Sequence, residues 1–477
     1  MVSEGVHASS ARPSGAGRAW ELARTLRDAG ERRVPHLVKD AVLAGLGSAA
    51  SRAFLFALGV LVSRTVGDPA RFGLFSSVLI TVQLVAMFTG LGLAQTAAQA
   101  IAAATGDRAR QDRIVRSTLA MVLGASVAIA AALLVVARLW PDGAVAALFS
   151  PELLVAATML LAAQLAVGGL EGVLRGLNRF RSLCASGVIA SVVSIAFAVP
   201  LVRSAGVTGG VVAAAGFLVL QGALMALPLR DRLRGDLLGW RDTAHLLGAT
   251  AAPTFLNGLA WNVGMLVPPL LLARGADGLT ELARWNAASQ IRTLVSFAAV
   301  VVANAAIPRL AAAYGKSGWR HEVHASLAIS MGAALIAYLP VVVAARPLMA
   351  LYGPQYAEHA TLLVVVASFV LLQVLGSALF VVLLAARRTW QTASLNMLWS
   401  AIVLLLAPRI IATGGADALA WAYLWTYGPV LVALGALVLR TLRDSPRVGL
   451  DAVSAAPATM ATHGPLEPRV AGSAAGR

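Results

Sequence analysis

From Ala41 to Arg440 the chain alternates apolar stretches of about 20 residues with short connections, most of them bearing arginine. At ~1.5 Å of rise per residue, each stretch is long enough to cross a hydrocarbon core ~30 Å thick as an α-helix. Twelve spans are predicted, at 41–63, 74–96, 115–139, 152–174, 183–203, 207–229, 245–273, 286–308, 323–345, 360–386, 389–412 and 416–441. Inside a bilayer, backbone N–H and C=O groups have no water to turn to, so a spanning segment must satisfy them within itself. The pattern therefore predicts an all-α, polytopic membrane protein.

A weak internal repeat divides this array. Leu61-Val62-Ser63-Arg64 at the end of the first span recurs as Leu271-Leu272-Ala273-Arg274 at the end of the seventh, and Arg71-Phe72 recurs as Arg284-Trp285. An offset of about 210 residues is close to half of the span region. Two pseudo-symmetric six-helix bundles follow, over residues 40–230 and 231–444, related by an axis along the membrane normal. Residues 1–39 lack the apolar core of a signal peptide and form a basic cytosolic tail; Arg18 to Val34 within them reads either as an interfacial amphipathic helix or as disorder. Residues 445–477, rich in Ala, Pro, Gly and Ser, read as a disordered cytosolic tail.

Composition and charge sharpen this picture. The chain is 58% hydrophobic, with a mean hydropathy of +0.78, which excludes a water-soluble globule. A net charge of +16 does not indicate nucleic acid, because the arginines sit between the spans. An N-terminus inside assigns 26 Lys and Arg to cytosolic segments and eight to the opposite side, so both termini are expected in the cytosol. A single cysteine, Cys184, permits no internal disulfide, and the seven histidines form no ligand cluster. No cofactor is expected; a proton or sodium gradient is a candidate source of coupling. The outer connections are all short, which argues against a glycan ligase or polymerase.

Candidate chemistry lies inside the spans. Arg52 stands about eleven residues into the first span, where an arginine facing lipid costs about 2.5–3.5 kcal/mol, so it should face a wet cavity or a partner. A guanidinium fork matches phosphate oxygens through paired charge-assisted hydrogen bonds. The alternatives for Arg52 are helix-end carbonyls, Glu171 or snorkelling, and no carboxylate is expected at its depth. Arg292 lies near Asn286 and Gln290 at the opening of the eighth span, a polar stripe suited to sugar hydroxyls and phosphate or, alternatively, to outer headgroups. The seventh span carries Pro253, Asn257, Asn262 and Pro268-Pro269, and a kink there is expected to line the site or to act as a bending element. Arg52, Arg292, Asn257, Asn262, Asn286 and Gln290 are the candidate substrate-binding residues. Glu171 and Arg175 read as a local i,i+4 ion pair, with proton coupling as the alternative, and Gly168, Gly172 and Gly176 as a helix-packing ridge.

Short fragments in a consistent order carry a family resemblance over residues 40–441. They are Arg71-Phe72-Gly73-Leu74, Gly90-Leu91-Gly92-Leu93, Arg175-Gly176-Leu177-Asn178-Arg179-Phe180, Asn286-Ala287-Ala288, Ile307-Pro308-Arg309-Leu310 and Leu351-Tyr352-Gly353-Pro354-Gln355-Tyr356. The chain resembles the polysaccharide and O-antigen flippases of the multidrug/oligosaccharidyl-lipid/polysaccharide exporter superfamily. The resemblance implies two six-helix bundles around a cationic cavity. It further implies transfer of an undecaprenyl-pyrophosphate-linked oligosaccharide across a bacterial inner membrane, without bond chemistry, for exopolysaccharide, O-antigen or capsule. Implied partners are this lipid-linked oligosaccharide, membrane lipids, and a polysaccharide polymerase with its chain-length machinery. The alternatives are a cation-coupled multidrug exporter of the same superfamily, a lipid II flippase, which is expected to have fourteen spans, and a non-transporting scaffold.

Overall fold

The computed structural model describes residues 45–104, 106–139, 150–232, 240–314, 318–386 and 388–444; the two tails and the amphipathic stretch within the first of them lie outside the described residues. The helices are α1 (Gly45–Val66), α2 (Pro69–Ala103), α3 (Arg108–Leu139), α4 (Pro151–Gly176), α5 (Phe180–Ala226) and α6 (Trp240–Leu272). They continue as α7 (Gly278–Ala313), α8 (Trp319–Val343), the short α9 (Ala345–Ala350) and α10 (Pro354–Ala357), α11 (Ala360–Ala385) and α12 (Thr389–Asp444).

Two of these helices are hairpins. In α5 the backbone leaves helical geometry at Gly206 (φ 55°, ψ −122°), and in α12 it does so at Gly414 and at Gly415 (φ 56°, ψ −135°). The arms fold back: Arg179 Nη1 donates to the Pro228 carbonyl at 2.6 Å, and Trp399 Nε1 donates to Thr426 Oγ1 at 3.2 Å. A straight helix would hold Trp399 and Thr426 about 40 Å apart at ~1.5 Å per residue. With α5 and α12 each crossing twice, the long helices supply twelve crossings at the positions the apolar pattern predicts.

The repeat is real at the level of the backbone. Gly206 and Gly415 hold nearly the same left-handed φ, a conformation open to glycine for want of a Cβ, at matching places in the two halves. Asp68 and Asp277 occupy the N-cap positions of α2 and α7, the corresponding second helices. Asn286 Nδ2 donates to Ser76 Oγ at 2.8 Å between residues 210 apart in sequence. Equivalent positions meet in this way where a pseudo-two-fold axis passes between them. The protein is thus a pair of pseudo-symmetric six-helix bundles.

Burial follows position in the array. Among the apolar windows, 61% of that in α11 is buried, whereas only 17% of that in α8 is. The exposed side of α8 carries Ile336 (75% exposed), Leu339 and Val343, side chains that water would not tolerate in such density and that lipid covers without cost. Small residues set the closest approaches. A Cβ on Gly172 would collide with the Ala94 carbonyl of α2, one on Gly176 would lie 2.8 Å from Ile101, and one on Gly169 would press on Val122 of α3. Gly168, assigned to the same ridge from sequence, has nothing within 4 Å. α6 runs from Trp240 to Leu272 through Pro253 and Pro268-Pro269. Pro268 and Pro269 lack the N–H that would bond to the Gly264 and Met265 carbonyls four residues back, and both carbonyls accept from the Tyr423 hydroxyl instead.

Candidate functional site

One stripe of α1 faces the second bundle. Residues 52, 56, 59 and 63 recur at spacings of four, three and four, which keeps them on one side of a helix. Phe56 packs edge-on against Tyr352, with ring centroids 5.8 Å apart, a Cβ on Gly59 would collide with the Gln290 side chain, and Ser63 Oγ donates to the Tyr352 carbonyl at 2.8 Å. These contacts lie toward the end at which α1 finishes and α2 starts, termed the α1–α2 end. Arg52 occupies the same stripe two turns further in, about 10 Å from Gly59 along the helix axis. There it is exposed, on the face directed at the space between the bundles.

The opposite face of α1 fixes this orientation by packing onto α5. Phe54 stacks on Phe217 at 4.5 Å, Gln221 Nε2 donates to Ser51 Oγ at 3.3 Å, and Gly47 lies against the backbone of Cys184. With that face buried, the Arg52 side cannot rotate away.

Among the charges that act on Arg52, Glu171 on α4 lies within attractive range and the Arg292 guanidinium within repulsive range. Glu171 is one of the partners the sequence offers for Arg52, but no carboxylate is expected at its depth, and the fold corrects this: Arg52 stands near the start of described α1 and Glu171 near the end of antiparallel α4, so the two fall at similar heights. Glu171 also accepts from Arg175 Nη2 at 2.9 Å, the local pair expected from their spacing. Both partners are partly exposed, so Glu171→Gln should change thermal stability by less than about 1 kcal/mol in a melting experiment. A larger loss would mean that Glu171 holds the bundle together through Arg52.

Arg292 is turned into the second bundle. Its Nη1 donates to Gln373 Oε1 of α11 at 2.9 Å, and its Nε is buried without a partner among the described residues. It packs among Met265, Trp285, Phe369 and Tyr423, with no room between them even for a water molecule. A glycan therefore does not fit there, and the volume needed must come from between the bundles. Behind these side chains lies an aromatic nest in which Trp261 stacks on Trp399 at 4.9 Å and Tyr423 donates to the Gly264 carbonyl at 2.8 Å.

The four candidate amides are engaged elsewhere. Asn286 meets Ser76 across the bundle interface, and Gln290 Oε1 accepts from the Tyr352 hydroxyl at 2.8 Å. Asn257 Oδ1 accepts from Asn396 Nδ2 at 2.8 Å, and Asn262 Nδ2 donates to the Gly258 carbonyl one turn back at 2.7 Å. The polar stripe of α7 therefore divides: Asn286 and Gln290 join the bundles, while Arg292 enters the second. Sequence reasoning assigned no role to Tyr352 or Ser76, although Tyr352 stands in one of the fragments that carry the resemblance.

Comparison with known proteins places this arrangement. Residues 37–314, more than half of the chain, match the family described as polysaccharide biosynthesis protein. No curated protein matches the chain. Among solved structures it is similar to an inward-facing multidrug resistance MATE family transporter of the MOP superfamily, at TM-score 0.64 and 16% identity, covering 82% of this chain and 96% of that one. An outward-facing transporter of the same description gives TM-score 0.66 at 17% identity, over 87% and 96% of the two chains. A MOP superfamily transporter from Pyrococcus furiosus, described as having a binding pocket of reversed polarity suggestive of a different function, gives 0.62 at 17%, over 85% and 95%. The chain shares the fold of these transporters, and its match across the first bundle and into the second shows that it belongs to the polysaccharide biosynthesis protein family.

Proposed function

We propose that this protein is a flippase that moves an undecaprenyl-pyrophosphate-linked oligosaccharide across the bacterial inner membrane by alternating access, supplying a polymerase outside. The observation that carries the reading is Arg52, held on the face of α1 directed between the bundles and within electrostatic reach of Arg292. A pyrophosphate and a glycan cannot cross hydrocarbon unaided, since each unpaired polar group costs several kcal/mol there. A guanidinium in a wet inter-bundle space lowers that barrier by pairing with phosphate oxygens, while the polyprenyl chain stays in the lipid. Arg292, bonded to Gln373, contributes a positive field more than a contact.

The excess of basic residues on one side puts the termini in the cytosol and the α1–α2 end in the periplasm. Closure of the bundles at that end suits loading from the cytosolic leaflet. In proteoliposomes containing a polyprenyl-pyrophosphate oligosaccharide, the protein should accelerate exchange of the glycan between leaflets, read by access of an added lectin. Unchanged exchange would remove the reading.

The fold also supports a second reading, a multidrug exporter of the same superfamily, and Glu171 near Arg52 is the acid such a transporter would use. Dye efflux from cells producing the protein should stay at background. Robust efflux lost in Glu171→Gln would favour the exporter.

A further inference from the structure

The loop between α8 and α11 carries a feature that the transport reading does not use. After α9 the chain turns at Gly353, whose φ of 147° suits glycine alone, and drives two tyrosines into the junction between the bundles. Tyr352 is fully buried and Tyr356 almost so. Their rings nest with Phe72 of α2 at 5.7 and 6.2 Å, and Tyr352 also meets Phe56 of α1. Burial pushes both phenols up, Tyr352 well above the ordinary range, so each remains a neutral hydrogen-bonding group.

Four hydrogen bonds secure the same segment. Arg64 at the end of α1 donates through Nε to the Leu351 carbonyl at 2.7 Å and through Nη2 to the Ala350 carbonyl, covering the negative C-terminal end of α9. Ser63 donates to the Tyr352 carbonyl, and the Tyr352 hydroxyl donates to Gln290 on α7. Tyr352, itself part of the second bundle and held there by Gln290, thus touches α1 and α2 of the first.

We propose that the segment from Ala350 to Tyr356 is a latch that keeps the two bundles together at the α1–α2 end, with Tyr352 as its bolt, held in its own bundle by Gln290, and Ser63 and Arg64 of α1 as its catches. The bundles part at this end only when the Ser63 hydroxyl leaves the Tyr352 carbonyl and the Arg64 guanidinium leaves the Ala350 and Leu351 carbonyls. Both catches stand on α1, about three turns beyond Arg52, and the Gln290 that holds the bolt precedes Arg292 on α7 by two residues. Any displacement of α1 or α7 at those arginines is passed to the latch. The latch rests on the transporter fold and not on the identity of the cargo, so its failure and that of the flippase reading are separable.

The test uses the full-length protein purified in detergent, with Cys184→Ser to remove the native thiol and Ser76→Cys as a reporter. Ser76 is fully buried beneath the junction. Maleimide should label the reporter slowly, and Ser63→Ala, which loses the one hydroxyl bonded across to the Tyr352 carbonyl, should speed labelling about three- to tenfold, the factor one buried hydrogen bond supplies. Arg64→Gln should do the same, with melting curves showing that the bundles stay folded. Tyr338→Phe serves as a control, since its hydroxyl pairs with Ser368 within the second bundle at 2.9 Å, and should leave labelling unchanged. Equal rates in parent, Ser63→Ala and Arg64→Gln, or equal acceleration by Tyr338→Phe, would overturn the latch.

Discussion

Cells that depend on this protein for polysaccharide export should lose most of that polymer when Arg52 is changed to alanine, while the amount of protein in the membrane stays the same. The expectation follows from placement. Arg52 is on the exposed inter-bundle stripe of α1, whereas the other face of that helix, with Phe54 on Phe217, does the packing. The packing that seats α1 on α5 therefore survives removal of the guanidinium. Charge-assisted hydrogen bonds are worth about 1.5–3 kcal/mol each, so loss of a fork to pyrophosphate lowers affinity by about tenfold to a hundredfold. Arg52→Lys should give an intermediate output, because it keeps the charge and loses the planar fork. Arg292→Ala should do less than Arg52→Ala, since Arg292 is turned toward Gln373 and acts at a distance. Wild-type polymer output in both alanine variants would remove the arginines from the mechanism.

The second large effect concerns two glycines that look alike in sequence. A Cβ on Gly73 of α2 would collide with the Leu279 carbonyl of α7, across the bundle interface, and one on Gly172 of α4 would collide with the Ala94 carbonyl of α2, within one bundle. Backbone cannot step aside as a flexible side chain can. Gly172→Val should therefore lower the melting temperature and the yield, with overpacking costing about 1–3 kcal/mol. Gly73→Val should leave each bundle folded and push the two apart at the α1–α2 end, so that export falls and a buried reporter such as Ser76→Cys becomes reactive. A Gly73→Val protein that melts as poorly as Gly172→Val would show that the bundle interface is part of the folding core rather than a moving junction.

The legibility of the candidate site differed residue by residue. Arg52 could be singled out because an arginine deep in an apolar stretch is costly unless satisfied, and its stripe could be read from helical spacing. Glu171 could be named as one alternative partner but not placed at the same height, because depth depends on where each helix enters the membrane, and that is set by hairpins and caps. Asn286 and Gln290 were assigned to cargo as polar groups on one face of a span. In the fold Asn286 bonds Ser76 of the other bundle, while Gln290 lies against Gly59 of α1 and holds Tyr352 of its own bundle. Asn257 and Asn262 are likewise spoken for by Asn396 and by a carbonyl one turn back.

Length, hydropathy and the placement of glycine determined the twelve crossings and the two-fold repeat, because a bilayer leaves a backbone no alternative to the helix and a left-handed turn favours a residue without a Cβ. Which faces of those helices meet was decided only in three dimensions. Lipid is as apolar as leucine, so no hydrophobic pattern marks the side of a span that seeks a protein neighbour; that choice rests on glycine contacts and hydrogen bonds between segments hundreds of residues apart.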